Sequence, residues 1–192
     1  FMFKLTKLMK NINNMLIRNL SIEGLKFYSI MDYIKRITWS LVQPAWYLSP
    51  RFFWSWRRWM LCIFGAKIEP RVKIFPSTKV SQPWNLTVGY GTTISWDCTL
   101  YCLGKINIGR NILISQGVHL CAGSHDIYKI DLPLVKKGIC IDDFSWIAAE
   151  AFVGPGVEIG KNVVIGARSV IMKNVNENEI RVGNPSKCIG YR

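Results

Sequence analysis

Two histidines are the only side chains of this 192-residue chain that titrate near neutral pH without a perturbing environment. His125 follows Gly123-Ser124 and precedes Asp126, a composition typical of a loop. A lone histidine on a loop suits a general base, which removes a proton from a reacting group, and a turn residue without chemistry is the equal alternative. His119 lies inside a regular apolar repeat, so we expect a surface or interface histidine without a catalytic task.

The six cysteines show no metal-binding pattern. None of them forms a CxxC pair, and two histidines are too few for the usual zinc sites, so the sequence predicts no metal. Unpatterned cysteines suit a reducing cytoplasm better than a secreted disulfide scaffold. We therefore expect a cytoplasmic protein. The six are Cys62, Cys98, Cys102, Cys121, Cys140 and Cys188.

The elements that must position these groups follow from a repeat of six residues. Six is neither the helical period of 3.6 nor the strand period of 2, so a repeating unit must explain it. Three six-residue sides make one triangular rung, and stacked rungs bury a continuous apolar column. Gly154, Gly160 and Gly166 follow their aliphatic residues directly, where a tight corner favours a residue without Cβ. The repeating aliphatics are Ile141, Ile147, Val153, Ile159, Ile165 and Ile171.

The same repeat starts at Ile68 and breaks once. Its early sets are displaced by 20 residues, which indicates three rungs with two extra residues at one corner. The break between Cys121 and Ile139 predicts a protruding loop over 121–139 that carries His125. We therefore predict an all-β solenoid of about five rungs over residues 67–176, followed by a C-terminal tail over 177–192.

Residues 1–66 are predicted to form a helical extension. A short helix is indicated within residues 1–20, and a second helix from Lys26 to about Val42, ended by Pro44. A third starts at Ser49-Pro50, with serine as the N-cap, and ends at Gly65. Aromatic and apolar side chains line one side of this third helix, namely Phe52, Trp56, Trp59, Met60 and Ile63.

Positive charge is concentrated in the same region. Residues 1–73 hold 13 Lys and Arg against three acidic residues, about +10 of the formal charge of +13. Two interpretations have equal weight: the aromatics pack on the first rung, or they contact a membrane while Arg51, Arg57 and Arg58 meet anionic lipid. Nucleic-acid binding is not expected, since no nucleic-acid motif accompanies the charge. Neither a signal peptide nor a transmembrane helix is predicted.

Several motifs together resemble the hexapeptide-repeat O-acetyltransferases. They are the hexads, the triplet Ser124-His125-Asp126, the residues 146–149, the run 155–173 and the closing residues 183–187. More narrowly, the chain resembles the colanic acid and capsule acetyltransferases of the WcaF type from about residue 35 to residue 192. This resemblance rests on Trp39, Ser49-Pro50, Trp56-Arg57 and the runs 64–68, 83–86 and 120–126.

The resemblance implies a left-handed parallel β-helix, a homotrimer, acetyl-CoA as the donor and a sugar hydroxyl as the acceptor. By motif match, His125 is the general base for direct transfer without an acyl-enzyme. Asp126 is assigned to the catalytic group as well, either orienting His125 or, preferably, contacting the sugar or shaping the loop. Asn85, two 20-residue rungs before His125, is a weaker candidate for the acceptor pocket.

In this family the pantetheine channel runs along the later rungs between two subunits. Relatives often have Thr where Met172 stands and a further basic residue near Gly190. Arg168 and Arg192 are possible substitutes for the missing phosphate contacts. A coil corner explains the small residues equally well. The positions that match the donor-binding residues are Trp146, Ala148, Ala149, Gly166, Ala167, Met172, Lys173 and Lys187.

Three functional hypotheses remain open at this point. The first is O-acetylation of a surface polysaccharide or its lipid-linked precursor at the inner face of the cytoplasmic membrane, with residues 1–64 in peripheral contact. The second is N-acetylation of an amino sugar, for example on a nucleotide sugar, with the same histidine as base. The third is a non-catalytic β-helix scaffold, which would bind no acetyl-CoA.

Overall fold

The computed structural model of the chain describes residues 29–192, so the short helix expected within residues 1–20 lies outside the described part. Tertiary contacts divide the chain into two units, 1–41 and 42–192. The second unit contains the second helix and the whole β-coil, together with the C-terminal tail. Neither helix in the described part is long and apolar enough to cross a membrane.

Helix α1 spans Ile30–Tyr47. Ser29 and Asp32 cap its start reciprocally, since each side chain accepts a hydrogen bond from the other residue's backbone amide at 3.1 Å. Pro44 lies inside the helix, so the predicted stop at this proline is wrong. Trp46 is buried and donates its indole N–H to the Thr78 carbonyl at 3.1 Å. This contact holds the last turn in place despite the amide that proline lacks.

Helix α2 spans Trp54–Ile63, five residues after its predicted cap. Ser49 does not cap it, because its hydroxyl donates to the Trp46 carbonyl and accepts from Arg57. The predicted end at Gly65 is confirmed. Gly65 has a φ of +88°, and the amides of Gly65 and Ala66 donate to Cys62 and Leu61, the pattern of a Schellman motif.

The β-coil has three faces, and each face is a stack of parallel strands from successive rungs. Face A contains β1 (Lys67–Ile68), β4 (Leu86–Val88), β7 (Ile106–Ile108), β12 (Ile139–Ile141) and β15 (Glu158–Ile159). Face B contains β2 (Lys73–Ile74), β5 (Thr93–Ile94), β8 (Leu113–Ile114), β13 (Trp146–Ile147) and β16 (Val164–Ile165). Face C contains β3 (Lys79–Val80), β6 (Thr99–Tyr101), β9 (His119–Cys121), β14 (Phe152–Val153) and β17 (Val170–Ile171).

These strands confirm the predicted solenoid, with five complete rungs and a partial sixth. The hexad aliphatics point inward and are almost fully buried, as in the face A column of Ile108, Ile141 and Ile159. The sixth turn consists of Val175, bridged to Ile159, and the hairpin of β18 (Glu179–Val182) and β19 (Lys187–Tyr191) on face B. The tail predicted from residue 177 therefore continues the coil.

The glycines after the hexad aliphatics are required for rung stacking rather than for backbone conformation. A Cβ on Gly160 would lie 2.8 Å from the Glu177 amide nitrogen, and one on Gly166 would lie 2.6 Å from Cγ1 of Val182. The left-handed conformation occurs two residues later, at Asn162 and its equivalents. The predicted position is therefore correct, but its reason is the close approach of the next rung.

The N-terminal edge of the coil is covered by side chains of the helical segment. Ile74 lies between two residues whose amides donate to the second rung, so its own carbonyl points toward the open end. The guanidinium of Arg57, which is fully buried, donates to this carbonyl at 2.6 Å and also to Ser49, Pro50 and Arg51. Arg57 therefore caps the sheet edge and is not available to lipid.

Candidate functional site

His125 ends β10 (Gly123–His125), which pairs with β11 (Leu134–Lys136) in an antiparallel hairpin that leaves the coil between faces C and A. The side chain is exposed, and its Nδ1 lies 2.5 Å from the Leu132 carbonyl oxygen. A carbonyl oxygen only accepts, so Nδ1 must carry the proton of the neutral ring. Nε2 is then unprotonated and keeps its lone pair, which is the state that a general base requires.

Asp126 shapes the loop that supplies this carbonyl. Its Oδ1 accepts a hydrogen bond from the Tyr128 amide at 3.1 Å, and its own amide donates to the Pro133 carbonyl at 3.0 Å. The ring of His125 is thus bonded to Leu132, while Asp126 forms an Asx turn at the start of the loop. This geometry matches the loop-shaping alternative for Asp126.

Asn85 lies at the corner from which the His125 hairpin leaves. The strand that follows Asn85 stacks below β7, and β7 stacks below the strand that follows the hairpin. Asn85 is half-buried, and its Nδ2 donates to the carbonyls of Cys102 and Leu103 at 2.9 and 3.3 Å. The amide therefore ties two rungs together at this corner.

Five of the expected donor-binding residues form one continuous strip on face B and at the corner between faces B and C. Trp146 points outward and is 43 % exposed, and its indole N–H donates to Ser115 Oγ at 3.0 Å. The amide of Arg168 donates to the Ala149 carbonyl at 2.8 Å, which places the next rung directly above. The members are Trp146, Ala148, Ala149, Gly166 and Ala167.

The other three residues lie elsewhere. Met172 and Lys173 follow β17 at the corner between faces C and A, above the His125 hairpin. Both side chains are exposed. Lys187 begins β19, at the outer strand of the terminal hairpin on face B, and is also exposed. Each lysine presents a cation to solvent, which suits a phosphate contact.

One subunit does not bring the two groups into a single cleft. The strip ends at Ala149 in the fourth rung. The same rung reaches the other corner at Gly154, directly below Met172 of the fifth rung. Five residues separate the two corners, roughly 16 Å at about 3.3 Å per residue. The width of face C therefore lies between the strip and the His125 hairpin.

The two arginines considered as substitutes already have partners. Arg168 forms an exposed ion pair with Glu150 at 2.6 Å, and the pKa of its guanidinium is raised by the hydrogen bond to that carboxylate. Arg192 donates from Nη1 to the Phe144 carbonyl at 3.2 Å. Lys173 and Lys187 are exposed as well, and both are candidates for a phosphate contact.

Sequence reasoning missed two functional contacts. The Leu132 carbonyl fixes the tautomer of His125, and the Ser115 hydroxyl fixes the indole of Trp146. Ser115 follows Ile114 as Ala148 follows Ile147, so counting along the repeat identifies it as a neighbour of the strip. No sequence signal identifies Leu132, because every residue carries a carbonyl.

A groove on face A begins at Asn174, directly after Lys173. It is lined by Cys140, Asp142, Glu158 and Glu177, among others. Burial raises the pKa of the Cys140 thiol, and the neighbouring carboxylates raise it further. An acidic groove of this kind repels the phosphates of a nucleotide donor. Within residues 29–192, no cluster of three or more His, Cys, Asp or Glu side chains could hold a metal ion.

Comparison with known proteins identifies relatives of this chain. The profile of the family described as "Bacterial transferase hexapeptide (six repeats)" matches residues 141–173. The chain is 41 % identical over 162 residues to the putative colanic acid biosynthesis acetyltransferase WcaF of Escherichia coli K12, covering 83 % of this chain and 88 % of the relative. It is 31 % identical to the galactoside O-acetyltransferase of the same organism, covering 65 % of this chain and 60 % of that one.

Solved structures share the fold. A galactoside acetyltransferase in complex with coenzyme A superimposes with a TM-score of 0.77 at 24 % identity, covering 90 % of this chain and 84 % of that chain. The hexapeptide-repeat acetyltransferase VCA0836 of Vibrio cholerae, in complex with acetyl-CoA, gives a TM-score of 0.77 at 20 % identity, with 88 % and 91 % coverage. At these identities the likeness establishes the architecture alone.

Proposed function

Because this chain belongs to the hexapeptide-repeat acetyltransferases, we propose that it transfers an acetyl group from acetyl-CoA to a sugar hydroxyl of a surface polysaccharide or its precursor. The observation that carries the proposal is the short hydrogen bond between His125 Nδ1 and the Leu132 carbonyl. In the neutral ring it places the proton on Nδ1, so that Nε2, on an exposed hairpin, carries the lone pair that accepts a proton from an incoming hydroxyl.

The proposed reaction is a direct transfer. His125 Nε2 removes the hydroxyl proton while the sugar oxygen attacks the thioester carbonyl of acetyl-CoA. The resulting tetrahedral intermediate collapses, the C–S bond breaks, and the imidazolium returns its proton to the departing CoA sulfur. His125 is thus neutral again at the end of the cycle. The buried thiols of Cys98 and Cys102 do not serve as nucleophiles, because burial raises their pKa to about 12.

A sugar hydroxyl is the acceptor that the relatives favour. The names of two similar proteins describe a putative acetyltransferase of colanic acid biosynthesis and a galactoside O-acetyltransferase. N-acetylation of an amino sugar would use the same base and is the alternative that an acceptor screen must separate.

A homotrimer forms part of the proposal. In one subunit the strip from Trp146 to Ala167 and the His125 hairpin lie on opposite sides of face C. A site assembled from both groups therefore requires a second subunit, whose hairpin would meet the strip of the first. Within this proposal the enzyme is cytoplasmic and works at the inner face of the cytoplasmic membrane, where residues 1–64 are in peripheral contact and a precursor attached to lipid would be its acceptor.

The His125→Ala variant tests the assignment of the base. Acetyl transfer is measured as thiol release from acetyl-CoA in the presence of free sugars, nucleotide sugars and oligosaccharides. General-base catalysis typically contributes about 10²- to 10⁴-fold, so a loss of that size is expected. Binding of CoA, measured by calorimetry, is expected to persist, because no donor-binding candidate is altered.

The His119→Ala variant is the matched control, because His119 lies on face C with its ring against Phe152 at 5.4 Å. Its turnover is expected to stay close to that of the parent protein. Full turnover by the His125 variant would refute general-base catalysis by His125. Absence of acetyl-CoA binding in the parent protein would instead support the scaffold hypothesis.

A further inference from the structure

A row of aromatic and apolar side chains on helix α2 has no partner within the described residues that buries it. Trp56, Trp59 and Ile63 are 40 %, 56 % and 59 % exposed, and the two indoles stack at 5.2 Å. Phe52 and Phe53, just before the helix, extend the row and are also exposed. Of the residues predicted to line this side, only Met60 is buried. We call Phe52, Phe53, Trp56, Trp59 and Ile63 the aromatic row.

The aromatic row faces away from the coil. At about 100° per residue, Trp56, Trp59 and Ile63 lie roughly 120° around the helix from the buried residues Arg57, Met60 and Leu61. The buried residues hold the helix to the N-terminal end of the coil through the bond from Arg57 to the Ile74 carbonyl. The row is therefore presented at the end of the coil where the chain enters.

Positive charge is concentrated at the N-terminal end of the coil. Residues 51–80, at the N-terminal end, hold seven Lys and Arg and one acidic residue, a net charge of +6. Residues 141–192, at the other end, hold six Lys and Arg and six acidic residues, a net charge of zero. The single acidic residue of the first group, Glu69, is paired with Arg110 at 3.1 Å.

The first rung carries a lysine at the outward position of each of its three strands. Lys67, Lys73 and Lys79 are exposed, and each immediately precedes an inward hexad residue. The same positions of the second rung are the threonines of β4, β5 and β6, which are uncharged. The lysines thus form a ring of cations at the end of the coil that presents the aromatic row. Helix α2 lies between the ring and the aromatic row, so the two are about one helix diameter, or 10 Å, apart.

We propose that this end of the coil docks on an anionic lipid bilayer. The aromatic row enters the headgroup region, and the lysine ring attracts the anionic headgroups within reach of a Debye length. Trp and Phe are suited to this interface, because their rings are apolar and tolerate partial hydration. The coil then stands on the membrane with its C-terminal end, of net charge zero, toward the solvent.

This orientation deepens the proposed function, because it gives the enzyme a fixed position relative to an acceptor attached to lipid. The inference rests on the proposed acetyl transfer only in the use that it assigns to this orientation, and the docking itself does not require the reaction. Vesicle binding needs no acetyl-CoA, so a failure to bind leaves the transfer reaction intact. Conversely, an inactive protein that still binds vesicles would contradict the proposed function alone.

Co-sedimentation of the full chain with phosphatidylcholine vesicles, with and without phosphatidylglycerol, tests the docking surface. Binding to the anionic vesicles is expected, with much weaker binding to the neutral ones. A double variant, Trp56→Ser with Trp59→Ser, is expected to weaken binding about tenfold or more. Changing Lys67, Lys73 and Lys79 to glutamine is expected to weaken it about fivefold for each lysine.

Two controls alter the other end of the coil. Ile189→Ser removes an exposed apolar side chain from β19, and Lys161→Gln removes an exposed cation from the fifth rung. Both are expected to bind as the parent protein does, and acetylation of a water-soluble acceptor is expected to stay unchanged in every variant. Equal losses in the controls, or parental binding by the tryptophan and lysine variants, would overturn the proposal. So would a change of oligomeric mass, measured by light scattering without lipid, in the tryptophan double variant.

Discussion

Substitution of Arg57 by methionine is expected to loosen the N-terminal end of the coil. Methionine keeps much of the aliphatic volume and removes the four hydrogen bonds of the guanidinium. The carbonyls of Pro50 and Arg51 lie in an exposed turn, where water can replace the lost donor. The Ile74 carbonyl and the Ser49 hydroxyl are buried, so water does not replace the hydrogen bonds that they lose.

The expected cost follows from these two buried bonds. A hydrogen bond from a charged donor contributes about 1.5–3 kcal/mol, so two of them contribute about 3–6 kcal/mol. Part of this is offset because the variant no longer buries a cation, and burial already lowers the pKa of Arg57. A net loss of about 3 kcal/mol in the free energy of unfolding is expected. For a chain of this size it corresponds to a fall in Tm of about 6–12 °C.

The assay is thermal unfolding followed by circular dichroism at matched protein concentrations. Arg58→Met is the control, because Arg58 donates to Ser55 Oγ at 3.0 Å in an exposed position and reaches the Val72 carbonyl only at 3.5 Å. Its Tm is expected to change by less than about 4 °C. Hydrogen exchange is expected to show early loss of protection in helix α2 of the Arg57 variant. A parental Tm together with parental protection in that helix would refute the edge-capping role.

Two further predictions concern the hairpin and the thiols. Asp126→Ala removes the acceptor for the Tyr128 amide and is expected to lower kcat about tenfold with unchanged CoA binding. Asp126→Asn should retain most of the activity, because its amide oxygen can accept the same hydrogen bond. Equal losses of kcat in both variants would indicate that the negative charge of Asp126 is required. Under alkylation at mildly alkaline pH, the exposed Cys62 and Cys188 are expected to react quickly and the buried Cys98 and Cys102 only after unfolding, as followed by mass spectrometry of peptides. Fast labelling of Cys98 or Cys102 in the folded protein would contradict their burial.

The coil could be predicted because its repeat is a direct consequence of its geometry. An inward side chain is needed on every side of every rung, so an aliphatic residue recurs every six positions, as at Ile147 and Ile165. The same count assigns each residue to a face. It places Trp146 on face B and Met172 just after face C, so the division of the donor-binding residues between two corners could also have been read from the sequence.

The helical segment was harder to predict, because its contacts are distant in sequence. Ser49 has the composition of an N-cap, but the Arg57 guanidinium uses its hydroxyl instead. Pro44 has the composition of a helix end, but Trp46 binds a carbonyl 32 residues away and keeps the last turn helical. Local propensities of about 1–3 kcal/mol were outweighed by tertiary hydrogen bonds that no local pattern encodes.

The hairpin that carries His125 could be predicted in its position but not in its bonding. The break in the repeat located the hairpin that carries His125, since a segment that leaves the coil must lose the period of six. The bond to Leu132 depends on how the loop turns back, and backbone carbonyls are identical in the sequence. For the same reason, the close approach behind Gly160 could be located but not explained from residue types.

The hairpin also shows that the position of His125 and the stacking of the rungs can vary independently in this architecture. Its two ends are fixed by backbone bonds, from Gly104 to the Ala122 carbonyl and from Ile139 to the Lys105 carbonyl, each at 2.9 Å. Ile106 and Ile139 remain stacked although 33 residues separate them, 13 more than in the rung below. Substitutions and length changes within the excursion would move the imidazole while the column beneath it keeps its register. Mutations confined to this hairpin could therefore change the acceptor during evolution while the stability of the coil stays the same.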